Sequence, residues 1–237
     1  MRAYADLHLC PILDDLTNAQ SMAKLLAEFR VRLVGVVIPA DKLGIHPIVL
    51  DAFEDAGLDV AKRLDLKPRS RDELLRALRR YRNRCEIISV ECSATSVARV
   101  AVRDRRVDLV YFQNRERGNI FRGNLAGNCR AVLEVNLSEL AHGPGFETAL
   151  RSLRRDIASA AQTSVEVTGS TNASSPFALR SPRDIAGLLH ILGLSIRSAL
   201  GAVSDIPHEI VARNRLRAKM PNAEEGVKVV RRAAADE

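Results

Sequence analysis

The first residues able to act on a phosphate ester stand near the start of the chain, where Asp6-Leu7-His8-Leu9-Cys10 alternates a carboxylate, an imidazole and a thiol with leucines. Side chains alternate between the two faces of a β-strand, so a D-x-H-x-H run would aim three polar groups to one side and could hold a divalent metal for phosphoester hydrolysis. Cys10 stands where that pattern needs its second histidine. Glu91, Glu134 and Glu166 lie in or beside later strand candidates. A ring of carboxylates could bind magnesium, but in a barrel such residues more often pair with inward-facing arginines. His46, His142, His190 and His208 are scattered, and Cys10, Cys85, Cys92 and Cys129 show no C-x-x-C spacing. Neither a zinc ribbon nor a redox pair is implied, and reduced thiols in a cytoplasmic protein are the expectation.

The second kind of chemistry is cationic. Gly118-Asn-Ile-Phe-Arg-Gly123-Asn124 looks like a phosphate-cradling loop but lacks the lysine and hydroxyl residue of a P-loop. Arg115, Arg117 and Arg122 flank it, and with Lys42 and Arg69 they could form a positive rim around one barrel mouth; ordinary solvated loop charge is the plainer alternative. Small hydroxyl residues from Thr168 onward lead to Arg180-Ser181-Pro182-Arg183-Asp184, a helix start whose free amides suit an anion. Either this is a phosphate contact, or it is a long structural turn whose arginines cap other elements. Arg213 and Arg215 give the stretch Ile210 to Arg217 a basic helix end, again a surface charge run or an RNA contact.

The elements that must position these groups alternate strand with helix. Strand-like runs fall at Tyr4 to Leu9, Leu33 to Ile38, Leu58 to Leu66, Ile87 to Val90, Leu109 to Phe112, Val132 to Val135 and Val165 to Val167. Helical spacing separates them, as in Met22, Leu25, Leu26 and Phe29, or Leu74, Leu75, Leu78 and Tyr81. Capping pairs are expected at Thr17 with Gln20, Ser70 with Glu73, and Ser181-Pro182 with Asp184. Seven such units argue for parallel strands with helical crossovers, and this chain length suits an imperfect (β/α) TIM-type barrel of about seven strands. No eighth strand follows Gly193; Ser195 to Arg217 reads as short helices broken at Pro207. Residues 1–217 are expected to form the barrel and 218–237 a flexible charged tail, in which 227–235 could be a short helix.

The 237 residues are 46% hydrophobic, enough for a full core, and no run of 18 lacks a charge or strong polar group. Neither secretion nor a membrane span is expected. A net charge of +7 fits a polyanionic partner, because neutralised phosphates release counterions. Of 36 basic residues only six are lysine, and the flat arginine fork matches phosphate well; arginine-rich codon usage would produce the same bias. With aromatics at 4%, contacts to the backbone and shape of folded RNA fit better than base stacking.

Three stretches carry a resemblance to a known family: Tyr4 to Leu9, Val107 to Val110, and Leu179 to Ala186 running into Leu192 to Leu194. The last continues through Ala202-Val203-Ser204 and Ile210 to Arg217. Together they resemble the barrel subunit of archaeal and eukaryal ribonuclease P, known as protein component three, over nearly all of the chain up to Arg217. That family is related in fold to the polymerase and histidinol phosphatase superfamily of metal-dependent barrels, from whose ligand pattern Cys10 departs. The resemblance implies a subunit that is not itself catalytic, binds no cofactor, and supports a catalytic RNA that holds magnesium and removes the 5′ leader from precursor tRNA. It implies as partners that RNA, a small α/β protein subunit, the other subunits of the holoenzyme and the precursor tRNA, with no membrane. Asp6 and His8 are then structural. The alternative is an independent metal-dependent phosphoesterase of the same barrel class, and a third reading is a partner-binding scaffold without direct RNA contact.

Overall fold

A computed structural model describes residues 2–112, 121, 123, 125–141 and 145–219. Seven parallel strands, β1 (Tyr4–Leu9), β2 (Val31–Val37), β3 (Asp59–Leu66), β4 (Ile87–Glu91), β5 (Leu109–Tyr111), β6 (Val132–Asn136) and β7 (Val167–Ser170), lie side by side in chain order. The sheet curls into a nearly closed barrel, with Leu9 bridging Ala173 in parallel and the Cys10 amide donating to the Ala173 carbonyl at 2.8 Å. Around it run α1 (Leu16–Glu28), α2 (Ile48–Asp55), α3 (Arg71–Tyr81), α4 (Thr95–Ala101), α5 (Ser138–Ala141), α6 (Phe146–Thr163) and α7 (Pro182–Ile191), followed by α8 (Ile196–Gly201) and α9 (Asp205–Lys219). The imperfect seven-strand barrel read from the alternation is the fold observed.

Local chemistry explains the helices. In α3, Leu74 and Leu78 face the barrel, the Ser70 hydroxyl accepts from the Glu73 amide, and Asp72 with Glu73 at the start and Arg79 with Arg80 at the end complement the helix dipole. Ser181 caps α7 in the same way, with Pro182 in its first turn. The cap of α1 differs from the expected Thr17 and Gln20: Asp15 accepts from the Asn18 amide, and Thr17 is already helical. A carboxylate two residues earlier took the role because both residues can cap and the chain enters the helix there.

Two further boundaries move. The seventh strand runs Val167–Ser170, later than its apolar signal, because its inward positions Thr168 and Ser170 are polar. Pro207 does not break the last helix; it sits in the first turn of α9, where its missing N–H is no loss, and the break falls at Ala202 to Ser204. That break closes the barrel. The Gly169 amide and the Thr168 hydroxyl both donate to the Ala202 carbonyl, at 3.2 and 2.9 Å, and the Ala5 amide donates to the Val203 carbonyl at 2.9 Å. A two-residue stretch thus satisfies backbone groups that an eighth strand would otherwise pair.

The helix α9 then plugs the mouth at the strand N-termini. Its Ile210 and Val211 pack with Ala5, Leu7, Leu33, Ala61, Ile87, Leu109 and Val132 in an apolar cluster separate from the larger core between sheet and helices. Burying each of those two side chains is worth roughly 1.5–3 kcal/mol. The helix runs through Lys219, two residues past the expected end of the barrel. The expected tail helix at 227–235 lies outside the described residues, and among the described residues no helix is long and apolar enough to cross a membrane.

Candidate functional site

Inward-facing positions turn from apolar to polar as each strand climbs: Ala61, Arg63, Asp65 on β3; Ile87, Ser89, Glu91 on β4; Leu109, Tyr111 on β5; Val132, Glu134, Asn136 on β6. The upper half of the barrel is therefore a polar chamber, and its centre is Arg63, fully buried. Its Nη1 and Nη2 donate to the two oxygens of Glu134 at 2.5 and 2.6 Å, a bidentate fork. Its Nε reaches Asp65 at 2.6 Å, and Nη1 also donates to the Leu7 carbonyl at 2.9 Å.

That last contact depends on a kink. Between Asp6 and Leu9, strand β1 slips register against β2, as a bulge does, and the Leu7 carbonyl swings inward over Gly35. A Cβ at Gly35 would lie 2.2 Å from the Leu7 oxygen, so only glycine admits this approach. The same slip turns His8 into the chamber, where Nε2 lies 3.0 Å from Asp65 Oδ2 and Nδ1 lies 3.0 Å from Asn136 Oδ1 and 3.3 Å from Glu134 Oε1. Ser170 donates toward both Glu134 and Asn136, at 2.8 and 2.5 Å, and Ser89 toward Glu134 at 3.3 Å.

The electrostatics follow from this packing. Burial and the neighbouring Arg63 charge oppose protonation of His8, but Glu134 and Asp65 outweigh them and hold its pKa well above 6.5. Burial likewise opposes ionisation of Glu134 and Asp65, and Arg63 foremost, then His8, drives both below the ordinary carboxylate range. Two cations thus face two carboxylates in a closed, charge-balanced network. Asp6 belongs elsewhere: it accepts from the His8 amide and from the amide and hydroxyl of Thr171, and burial raises its pKa despite those bonds.

This donor set does not fit a divalent metal. A guanidinium fills the centre, both ring nitrogens of His8 face carboxylates, Asp6 turns to Thr171, and the Cys10 thiol donates to Asn172 at 3.2 Å. Among the described residues, no group of three or more His, Cys, Asp or Glu is arranged to hold a metal ion. The carboxylate ring conceivable from sequence is not formed either. Glu134 is central, Glu91 stands higher beside Lys67 at 3.4 Å, and Glu166 is exposed below the start of β7. Glu134 instead pairs with an inward arginine, the commoner arrangement.

The basic residues singled out from sequence divide between the two mouths. Lys42, Arg69 and Arg180 lie on connections after β2, β3 and β7, where a barrel gathers its loops, and Arg183 lies in the first turn of α7 beside them. Lys42 lies 3.5 Å from Asp14, and Arg180 donates to the Phe177 and Leu179 carbonyls of its own turn at 2.9 and 2.7 Å. Arg213 and Arg215 lie on α9 at the opposite mouth. Arg215 bonds Glu86 and, bidentately, Asp59, while Arg213 lies 3.4 Å from Asp108. Asp108 anchors the plug, accepting from the Ile88 amide, Arg82 and Asn214 at 2.8, 2.5 and 2.8 Å. Arg115, Arg117 and Arg122 lie outside the described residues. Sequence reasoning missed Arg63 and Asp65 altogether; two charged residues at alternate positions of a strand, on the same face as Ala61, were the available signal.

Comparison with known proteins matches residues 3–219 to the family model described as RNase P subunit p30. Ribonuclease P protein component 3 of Methanosarcina acetivorans is 25% identical over 204 residues, covering 84% of each chain. The protein of the same name from Methanococcoides burtonii is 24% identical over 222 residues, covering 90% of this chain and 89% of that one. In fold, the chain is similar to one in a cryo-EM structure of archaeal ribonuclease P with mature tRNA, with a TM-score of 0.77 at 20% identity over 96% of this chain and 98% of the other.

Proposed function

The chain belongs to the RNase P subunit p30 family, and on that premise we propose that it works inside ribonuclease P as a subunit that binds RNA and protein but performs no hydrolysis itself. The enzyme removes 5′ leaders from precursor tRNA by endonucleolytic cleavage, and its RNA holds the catalytic magnesium ions. The partners are that RNA, a small α/β protein subunit, the other subunits of the holoenzyme and the precursor tRNA. One observation carries the division of labour: the centre of the barrel, where a hydrolytic relative would need an open cation site, is filled by Arg63 locked onto Glu134. What remains for the protein is electrostatic and organisational. Surface arginines screen phosphate repulsion, so the RNA reaches its active arrangement at lower magnesium.

The test is reconstitution. Adding this chain and the small α/β subunit to the RNA is expected to lower the magnesium concentration needed for half-maximal cleavage of precursor tRNA. An unchanged requirement would overturn the proposal. The same chain, free of RNA and supplied with manganese or magnesium, is expected to give no turnover of a generic phosphate ester; turnover abolished by His8→Ala would restore the phosphoesterase alternative.

A further inference from the structure

Beneath β3 and β4, on the mouth opposite the usual loop face, a groove of about 540 Å³ opens between the α3–β4 turn and the end of α9, lined among others by Lys62, Arg82, Arg84, Glu86, Asn214 and Arg217. Its charges are not equivalent. Glu86 is already engaged: Oε1 accepts from Arg215 at 2.5 Å and Oε2 from the Lys62 amide at 2.8 Å. Arg82 is engaged as well, its donors held by Asp108 and by the Arg106 and Glu86 carbonyls. Lys62, Arg84 and Arg217 are different. None of the three has a carboxylate partner among the described residues, and Arg217 makes only a 3.4 Å bond to the Arg105 carbonyl, which cancels no charge.

Helix C-termini at this mouth attract cations, but that does not account for all three. The last turn of α3 already carries Arg79 and Arg80, and Lys62 stands on a strand. The groove is also not a nucleophilic centre. Burial raises the Cys85 thiol at its wall to about 12, leaving it protonated. Among the described residues no aromatic side chain lines it, so these walls offer unstacked bases no platform.

Resting on the reading that this chain touches RNA, we infer that the groove is a second phosphate-backbone site: Lys62, Arg84 and Arg217 clamp one stretch of ribonuclease P RNA at the mouth away from Arg69 and Arg180. The bonds Arg215 makes with Glu86 and Asp59 supply the rigidity, because they neutralise the nearby acids and fix α9 as one wall.

The experiment measures binding of the full chain to its RNA across a salt series. Each phosphate contact contributes about 0.7–0.9 to the slope of log affinity against log salt. The triple variant Lys62→Gln, Arg84→Gln, Arg217→Gln is expected to bind roughly tenfold or more weakly, with a slope shallower by about two to three, and to keep the thermal midpoint of the parent. Pyrophosphate, a probe without sugar or base, is expected to compete with RNA for the parent but hardly for the triple variant. If the parent binds with a steep salt slope and the triple variant matches it, the groove proposal fails while the RNA-binding reading stands. If the parent shows no salt-dependent binding at all, that reading itself fails. Loss of an acidic protein subunit instead of RNA from the triple variant would assign the groove to protein and overturn the inference.

Discussion

Arg63 and Arg84 are the same residue in two situations, and the contrast separates what an arginine does for the fold from what it offers a partner. Arg63 sits at the centre of the barrel with no exposed surface and directs its donors to Glu134, Asp65 and the Leu7 carbonyl. Arg84, exposed beneath the barrel, has no ion-pair partner among the described residues. Formal charge counts the two alike. A net charge of +7 therefore overstates the contribution of some cations and hides the concentration of others. What matters to a polyanion is the set of cations whose neighbouring acids are already neutralised, and around the lower groove that set is Lys62, Arg84 and Arg217.

The inner network should be costly to break. Arg63→Ala leaves Glu134 buried without its main counter-charge and is expected to lower unfolding free energy by about 3–5 kcal/mol in urea titrations. Replacing the pair together, Arg63→Met with Glu134→Leu, should recover much of that loss, because two apolar groups of similar size leave no orphaned charge. If the double change is as damaging as the single one, the network's value lies in geometry and not in charge balance. Gly35→Ala tests that geometry directly. Its Cβ would meet the Leu7 carbonyl, and the expected cost is about 1–3 kcal/mol or more, with the bulge displaced.

Protonation offers a finer test of the same network. The folded pKa of His8 is raised, so the stability it contributes is complete below its ordinary value of 6.5 and is lost as pH climbs through the raised folded value. Glu134 and Asp65 are depressed, so theirs is present above the ordinary carboxylate range and is lost on acidification. Denaturation midpoints should therefore fall on both sides of neutrality, with the alkaline limb no steeper than about 1.4 kcal/mol per pH unit for one proton. His8→Gln should flatten the alkaline limb most and shorten the acid limb as well, since the His8 charge helps to hold Glu134 and Asp65 down. An unchanged alkaline limb would mean His8 is neutral in the chamber.

How much of this was legible beforehand depends on range. The strand and helix alternation is local, and it sufficed for a seven-strand barrel. The stretches that carry the family resemblance also acquire a physical sense, since they meet where the barrel closes. Ala5 bonds Val203, and Asp108 holds Asn214 and Arg213 of the plug. The chamber was not legible, because pairing Arg63 with Glu134 joins residues 71 positions apart and rests on a bulge that hydrophobic periodicity cannot reveal. Pro207 misled for the opposite reason: proline signals a break only in a helix interior, and nothing local says that Asp205 begins a new helix.

The smallest expected effects fall around the lower groove, and they sharpen the division most. Arg215 is about one-third exposed and bonds Asp59 and Glu86, so Arg215→Gln should cost no more than about 1 kcal/mol after solvent screening. It also releases Glu86 into the groove floor, where a bare carboxylate repels phosphate. Arg84→Gln removes a cation with no ion-pair partner and should change stability by less than about 0.5 kcal/mol. Measured side by side by thermal melts and by RNA titration at fixed salt, the two should rank differently: Arg215→Gln lower in stability, yet both weaker in binding. Equal binding by Arg215→Gln and the parent would mean that Glu86 does not shape the field in the groove, and that the neutralised acids beneath the barrel matter to the fold alone.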